Sequence, residues 1–273
     1  ADSSAIPSLL LNKKVKPHVT VVLSGDGGDE SFLGYNHFEW ARKVYVLFLI
    51  PFFLRRLATH FIPFKWIGKR ATSVKNIILM KSFDEFIESI FTGFDTLLLK
   101  DENKWMSHYH KYLFLSKNRF QKVADLNLKL WLENDSNVKV DRSSMAFSVE
   151  VRSPFLDYRI IELARTLPVK YRLYGSTRKR ILRDILSNYI PETVFDKPKK
   201  GFSIPLAAWI RGSFKDEFSK YLKTDKLKHI ENLDIAKIQK LFKLHLTSNV
   251  DYSSYLWRVF VLSKWIHLNK EQI

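Results

Sequence analysis

The stretch from Val19 to Glu30, "VTVVLSGDGGDE", constrains this chain more than any other, because an apolar strand runs straight into a loop of glycines and acids. Pro17 precedes "HVTVVL", six residues rich in β-branched types and bounded by turn formers. That pattern predicts a strand buried on both faces. A parallel strand that ends in a glycine-rich turn exposes backbone N–H groups at the carboxyl edge of a sheet, where open α/β folds bind nucleotides. Gly25, Gly27 and Gly28 allow positive φ and close approach of a ligand. Asp26, Asp29 and Glu30 would repel a phosphate held directly, a conflict that a carboxylate-bound Mg²⁺ between loop and phosphate removes. The competing reading is a plain strand-to-helix turn in which Asp26 or Asp29 caps the next helix.

From Asn36 onward the pattern is helical. "DEFIESIFTGF" (84–94) and "RFQKVADLNLKLWLEND" (119–135) carry apolar residues at helical spacing, in the second case Val123, Leu126, Leu130 and Trp131. "LDYRIIELARTLP" predicts a helix capped by Asp157, with Ile160, Ile161, Ala164 and Leu167 on one face and a stop at Pro168. "TRKRILRDILSNYIP" repeats that arrangement with Thr177 as the expected cap. The last helix, "SSYLWRVFVLSKWIHL", is apolar almost all round and is expected to be buried.

The longest apolar run, "VYVLFLIPFFL" (44–54), is shorter than the roughly 20 residues a spanning helix needs, and Pro51 interrupts it. A buried or inter-domain helix is the expectation. Flanking Arg42, Lys43, Arg55 and Arg56 would also suit a helix lying on an anionic membrane surface. At 273 residues the chain is long enough for one large domain or two small ones with a sizeable core. Its formal charge of +17 favours anionic partners. Nucleic acid is disfavoured, because the basic residues are dispersed over many segments rather than gathered on one face with interleaved aromatics. The absence of cysteine excludes disulfides, cysteine-based zinc sites and a cysteine nucleophile within these residues. The sequence opens without an initiator Met or a signal-peptide pattern, so an N-terminal truncation is expected.

Four blocks together resemble one family. "LSGDGGDESFLGY" is similar to the "SGDGGDE-x-F-x-GY" signature of the asparagine synthetase family. "VKVDRSSMAFSVEVRSPFLDYRIIELA" (138–164) resembles its "VKVDR-x-SM-x-x-S-x-E-x-R-x-PFLD" block, and "KPKKGFSIPLAAWIRG" (197–212) its "R-x-K-x-GF-x-x-P-x-x-x-W-x-RG" block. "ADSSAIPSLLL" is similar to the segment the family has just before the strand. The resemblance covers most of the chain and implies an α/β fold: the carboxyl portion of an adenine-nucleotide α-hydrolase-like (ATP pyrophosphatase) domain, predominantly helical, with two strands or fewer.

It also implies a chemistry, in which a substrate carboxylate is adenylated by ATP with release of pyrophosphate and ammonia attacks the acyl-adenylate. Carried over by motif position, Ser24 and Gly25 contact the nucleotide, Asp26 stands at the reacting centre and Asp29 is a Mg²⁺ ligand. Lys199 stabilises charge during adenylation and amide formation. Arg142 and Arg152 match basic positions near the substrate and phosphate pocket, with a structural ion pair to Glu150 or Asp157 as the alternative for each. The implied setting is a cytoplasmic enzyme acting on aspartate and ammonia, with a glutaminase domain in the full-length protein and a homodimer as a further partnership. The family's "SGG-x-DS" pyrophosphatase loop and glutaminase domain lie upstream of these blocks, so the segment 1–273 is expected to be a partial synthetase domain, inactive alone. Within the motifs, Ser31, Leu33, His37, Ser153 and Lys197 depart from the usual residues, which bears on the identity of the acceptor substrate. A sister amidotransferase of surface polysaccharide or peptide/lactam synthesis therefore stands as the alternative.

Overall fold

Val21–Leu23 (β1) pairs in parallel with Glu150–Arg152 (β2), Val22 lying opposite Val151. The ladder extends one residue each way, Glu150 N–H donating to Thr20 O at 2.9 Å and Ser24 N–H to Arg152 O at 2.8 Å. The computed structural model describes residues 2–63, 71–92, 98–100, 112, 116, 118–197 and 203–269. Among these no third strand joins the pair. Leu23 is consequently 76% exposed, against the expectation of a strand covered on both faces, because such cover requires strands at both edges and helices over both sides.

A second sheet was not expected. Leu173–Tyr174 (β3) and Thr177–Arg178 (β4) form an antiparallel hairpin around Gly175 and Ser176, with Gly175 at φ 58°. Two-residue hairpin loops need such positive φ, which glycine adopts without steric cost. Thr177 is therefore a strand residue and not a helix cap. The helix begins at Arg180, with Lys179 at its N-cap in the left-handed region, φ 52° and ψ 37°.

The rest of the described chain is mainly helical. Arg119–Leu126, Asn127–Ser136 and Asn137–Met145 follow without a break, the middle segment being π-wound. Val123 and Leu126 are buried as predicted, but past the change of winding Leu132 is buried and Trp131 is exposed. A wider turn shifts the phase of the apolar face, which a fixed 3.6-residue period cannot follow. Tyr158–Thr166 matches its prediction: Asp157 Oδ1 accepts the Arg159 N–H at 2.9 Å, and Ala164 is buried. Helix Phe83–Thr92 buries Phe83, Phe86 and Ile87; residues 93–94 of its predicted span lie outside the described residues.

Two apolar cores result. One gathers Leu33, Phe38, Phe86, Ile87, Val123 and Leu126 behind the glycine loop. The other gathers Ile210, Phe218, Leu227, Ile238, Leu256 and Phe260 toward the carboxyl end. The last helix, Ser253–Leu268, buries Leu256, Val259 and Phe260 there, yet Leu262, Trp265 and Leu268 are exposed. Its described neighbours, Leu206–Arg211, Lys215–Tyr221 and Ile235–Thr247, leave that face uncovered. The run 44–54 is not a buried helix either: it breaks at Pro51 into a 3₁₀ turn, Val46–Leu49, and the start of helix Phe52–Ala58, and Val46, Leu49, Ile50, Phe53 and Leu54 face solvent. Among the described residues, no helix is long and apolar enough to cross a membrane.

Candidate active site

The parallel pairing of β1 and β2 delivers two loops to the same edge. Ser24–Gly28 leaves β1 and Ser153–Leu156 leaves β2, side by side at the carboxyl ends of the strands. Their fit explains two of the glycines. Gly27 sits at φ 89°, and a Cβ there would lie 2.6 Å from Leu156 Cδ2 and 2.9 Å from Phe155 O. A Cβ on Gly28 would stand 3.2 Å from the Phe155 ring. Close packing on Phe155 and Leu156 uses Gly27, and Gly28 packs on the Phe155 ring while also lining an open cleft. Gly25 differs: nothing lies within 4 Å of its Cβ position, and it lines the same cleft.

The acids divide by role. Glu30 is 2% exposed; its Oε2 accepts the Gly27 N–H at 3.1 Å and its Oε1 accepts the Tyr35 hydroxyl. It closes the loop onto helix Gly28–Ser31, so the helix-capping task falls to Glu30 and neither Asp26 nor Asp29 performs it. Burial pushes the Glu30 carboxyl above its ordinary range, the neighbouring Asp29 and Asp26 charges adding to the effect against the hydrogen bonds that lower it. Asp26 accepts the Ser24 hydroxyl. Asp29 Oδ1 lies 3.1 Å from Lys179 Nζ, an ion pair that ties the loop to the far hairpin.

Lys179 was not anticipated, and neither was the wall it belongs to. A cleft of about 1220 Å³ runs between the loop and the hairpin–helix unit, lined by Gly25, Phe155, Arg178, Lys179, Arg183 and Lys197 among others. The available signal was "YGSTRKR", a Gly-Ser pair between short strand-like dipeptides followed by three basic residues. Lys179 also occupies a left-handed backbone that residues other than glycine rarely adopt, a feature that concentrates at functional sites. Behind the loop, Arg172 is 2% exposed and donates to Ser31 O at 3.2 Å and Gln121 Oε1 at 2.8 Å, anchoring the short helix to Arg119–Leu126. Burial pulls its pKa down to about 10, with Asp125 opposing.

Of the residues singled out from the sequence, Ser24, Gly25, Asp26 and Asp29 come together in this loop. Arg152 contributes its backbone carbonyl to Ser24, while its exposed side chain pairs with Glu150 at 2.8 Å, the structural alternative. Arg142 is exposed on helix Asn137–Met145 and is not among the residues lining the cleft. Lys199 lies outside the described residues; Lys197 lines the cleft. In the same block Arg211 has a structural task, donating to His245 O at 2.8 Å and Val250 O at 3.1 Å.

Four cations of the described residues line the cleft beside apolar side chains, and two of them are paired, Lys179 with Asp29 and Arg183 with Asp196. Among the described residues no group of three or more acids or histidines could hold a metal ion. Asp29 and Asp26 fit Mg²⁺ only as a cation that takes one or two carboxylates and draws its remaining ligands from substrate phosphate and water.

Two loops meeting at the carboxyl edge of a parallel pair, beside a basic cleft, form the kind of site where open α/β proteins bind nucleotides. The sequence profile described as asparagine synthase matches residues 1–267, and the chain belongs to that family. Glutamine-hydrolyzing asparagine synthetase 1 of Bacillus subtilis is 27% identical over 280 aligned residues, covering 100% of this chain and 44% of the relative. The human glutamine-hydrolyzing asparagine synthetase is 27% identical over 145 residues, covering 48% of this chain and 25% of that protein. The chain thus spans under half the length of these relatives. No solved structure matches it significantly.

Proposed function

We propose that the chain carries the synthetase part of an ATP-dependent amide-forming enzyme of the asparagine synthetase (glutamine-hydrolysing) type. The side-chain carboxylate of aspartate is adenylated with release of pyrophosphate, and ammonia derived from glutamine displaces AMP to give asparagine. The observation that carries this reading is the meeting of the "SGDGGDE" and "RSPFLD" loops at one strand edge, facing the basic cleft.

ATP supplies the adenylyl group that activates the carboxylate, and Mg²⁺ neutralises its phosphates. Gly25 leaves the loop backbone open to the nucleotide, and Ser24 orients Asp26, the acid at the reacting centre. Arg178 and Lys197 draw phosphate charge into the cleft, while Arg183 is paired with Asp196. Asp29 becomes available to the cation when Lys179 turns toward phosphate. Lys199 stabilises negative charge as it develops during adenylation and amide formation. The proposed setting is the cytoplasm, with a glutaminase domain supplying ammonia and a homodimer as the assembly. A sister amidotransferase acting on a surface-polysaccharide or peptide/lactam precursor is the second reading, favoured by the exposed apolar stripe around Val46.

The test is pyrophosphate release from ATP with aspartate and ammonia, at the full natural length of the protein. Aspartate-dependent release that Lys199→Ala lowers by at least about 100-fold supports the first reading. A folded, ATP-binding protein that ignores aspartate overturns it in favour of the second.

A further inference from the structure

Helix Phe52–Ala58 and the turn before it are amphipathic the wrong way round. Val46, Leu49 and Ile50 before Pro51, Phe53 and Leu57 on the helix and Phe61 beyond it are between 45% and 79% exposed. The inward side carries Arg55, which is 3% exposed. Its guanidinium donates to Ile50 O at 3.1 Å, Ile78 O at 2.8 Å, Met80 O at 2.9 Å and Lys81 O at 3.4 Å. It also lies 4.6 Å from the Phe48 ring centre and 5.6 Å from that of Phe52. These bonds fix the rotation of the helix, so Phe53 and Leu57 are held outward. Exposed large hydrophobic side chains gathered in one segment mark an interaction surface.

The chemistry around the stripe selects the occupant. A cavity of about 380 Å³ opens at its edge, lined by Tyr45, Phe48, Leu49, Lys81, Arg119 and Lys122 among others. Leu49 belongs to both stripe and cavity. Lys122 is neutralised by Asp84 at 2.8 Å. Lys81 and Arg119 are exposed and their side-chain cations have no carboxylate partner among the described residues, although the Lys81 backbone N–H donates to Glu85 Oε2 at 2.7 Å; Arg119 stacks on Tyr45 at 4.4 Å. Arg56, exposed on the helix itself, is likewise without a carboxylate partner among these residues. Apolar side chains with unpaired cations at their margin match the depth profile of an anionic bilayer, where acyl chains lie beneath a layer of phosphate. A second copy of this chain is a poorer occupant, since it would bring another formal charge of +17 against the same cations.

We propose that the stripe from Val46 to Phe61 docks this protein on an anionic membrane surface, with Lys81 and Arg119 receiving lipid phosphate. Docking leaves the candidate active site outside the interface, since no residue is common to the stripe and the lining of that cleft.

The test is co-sedimentation of the protein at its full natural length with vesicles of phosphatidylcholine alone or mixed with phosphatidylglycerol, alongside size-exclusion chromatography without lipid. The expected result is binding to the anionic vesicles that falls at least about tenfold in Phe53→Glu/Leu57→Glu and several-fold in Lys81→Glu/Arg119→Glu. Both pairs are exposed, and an unchanged circular dichroism spectrum confirms that each variant folds. Equal or absent binding to the two vesicle types overturns the proposal. So does binding abolished by inorganic phosphate at matched ionic strength but unaffected by Phe53→Glu/Leu57→Glu, which reports phosphate-competable charge alone. A wild-type dimer that Phe53→Glu/Leu57→Glu converts to monomer overturns it in favour of self-association.

Discussion

Glu30 and Arg55 are both ionisable and both nearly inaccessible to solvent, yet they orient their surroundings toward opposite kinds of partner. Glu30 takes its hydrogen bonds from one backbone N–H and the Tyr35 hydroxyl, and the loop it closes brings Gly25 and Gly28 to the lining of a cleft. Arg55 gives its hydrogen bonds to backbone carbonyls, and the helix it holds turns a hydrophobic stripe toward solvent. A buried charge with satisfied hydrogen bonds adds little net stability, but it fixes geometry, because removing either partner leaves polar groups stranded. One region is thereby shaped for a small polar ligand and the other for a surface.

The contrast can be broken most strongly at Gly27. Gly27→Ala combines a left-handed backbone with contacts under 3 Å, and the expected loss is roughly 3 kcal/mol in urea unfolding. A loss under about 1 kcal/mol would show that Phe155 and Leu156 do not hold the loop. Next comes Arg55→Leu, which strands the carbonyls of Ile78 and Met80 and should cost about 2 kcal/mol. Faster hydrogen exchange in helix Phe52–Ala58 should accompany it, with none in the glycine loop.

Glu30→Gln sharpens the comparison through pH. The folded carboxyl titrates above its ordinary value of 4.5, chiefly through burial. Its stabilising contribution is therefore complete below that value and is lost as pH rises through the raised pKa. Glutamine keeps the acceptor for Gly27 and removes that loss, so the variant should gain on wild type in melting temperature as pH climbs from 4 toward neutrality. Asp157 runs the other way. The exposed Arg159 guanidinium and backbone N–H hold its carboxyl down to about 2. Its contribution is present above the ordinary carboxylate range and vanishes as pH falls through about 2. The melting-temperature difference between wild type and Asp157→Asn, the smallest effect expected, should shrink over that acid range.

Much of the fold was legible because it is local. The Asp157 cap, the helix around Val123 and the strand at Val21 follow from residues within a few positions of each other. The errors have equally specific causes. Trp131 was placed inward because a fixed helical period does not anticipate a π-wound segment. Thr177 was read as a cap because a hairpin of two-residue strands has almost no periodic signal. At the site, the motif blocks marked Ser24, Gly25, Asp26 and Asp29, but not Lys179, whose pairing with Asp29 joins segments far apart in the chain.

The amino-acid sequence by itself determined the family, through the order and spacing of its motif blocks, and with it the glycine–acid loop at the end of a strand. Only the tertiary structure decided that Gly27 and Gly28 are needed for packing on Phe155, that Lys179 faces Asp29, and that the apolar residues from Val46 to Phe61 point outward. Periodicity states which side chains share a face. Whether that face is covered depends on what the rest of the chain places against it, here four carbonyls that claim Arg55 and leave the hydrophobic side to solvent.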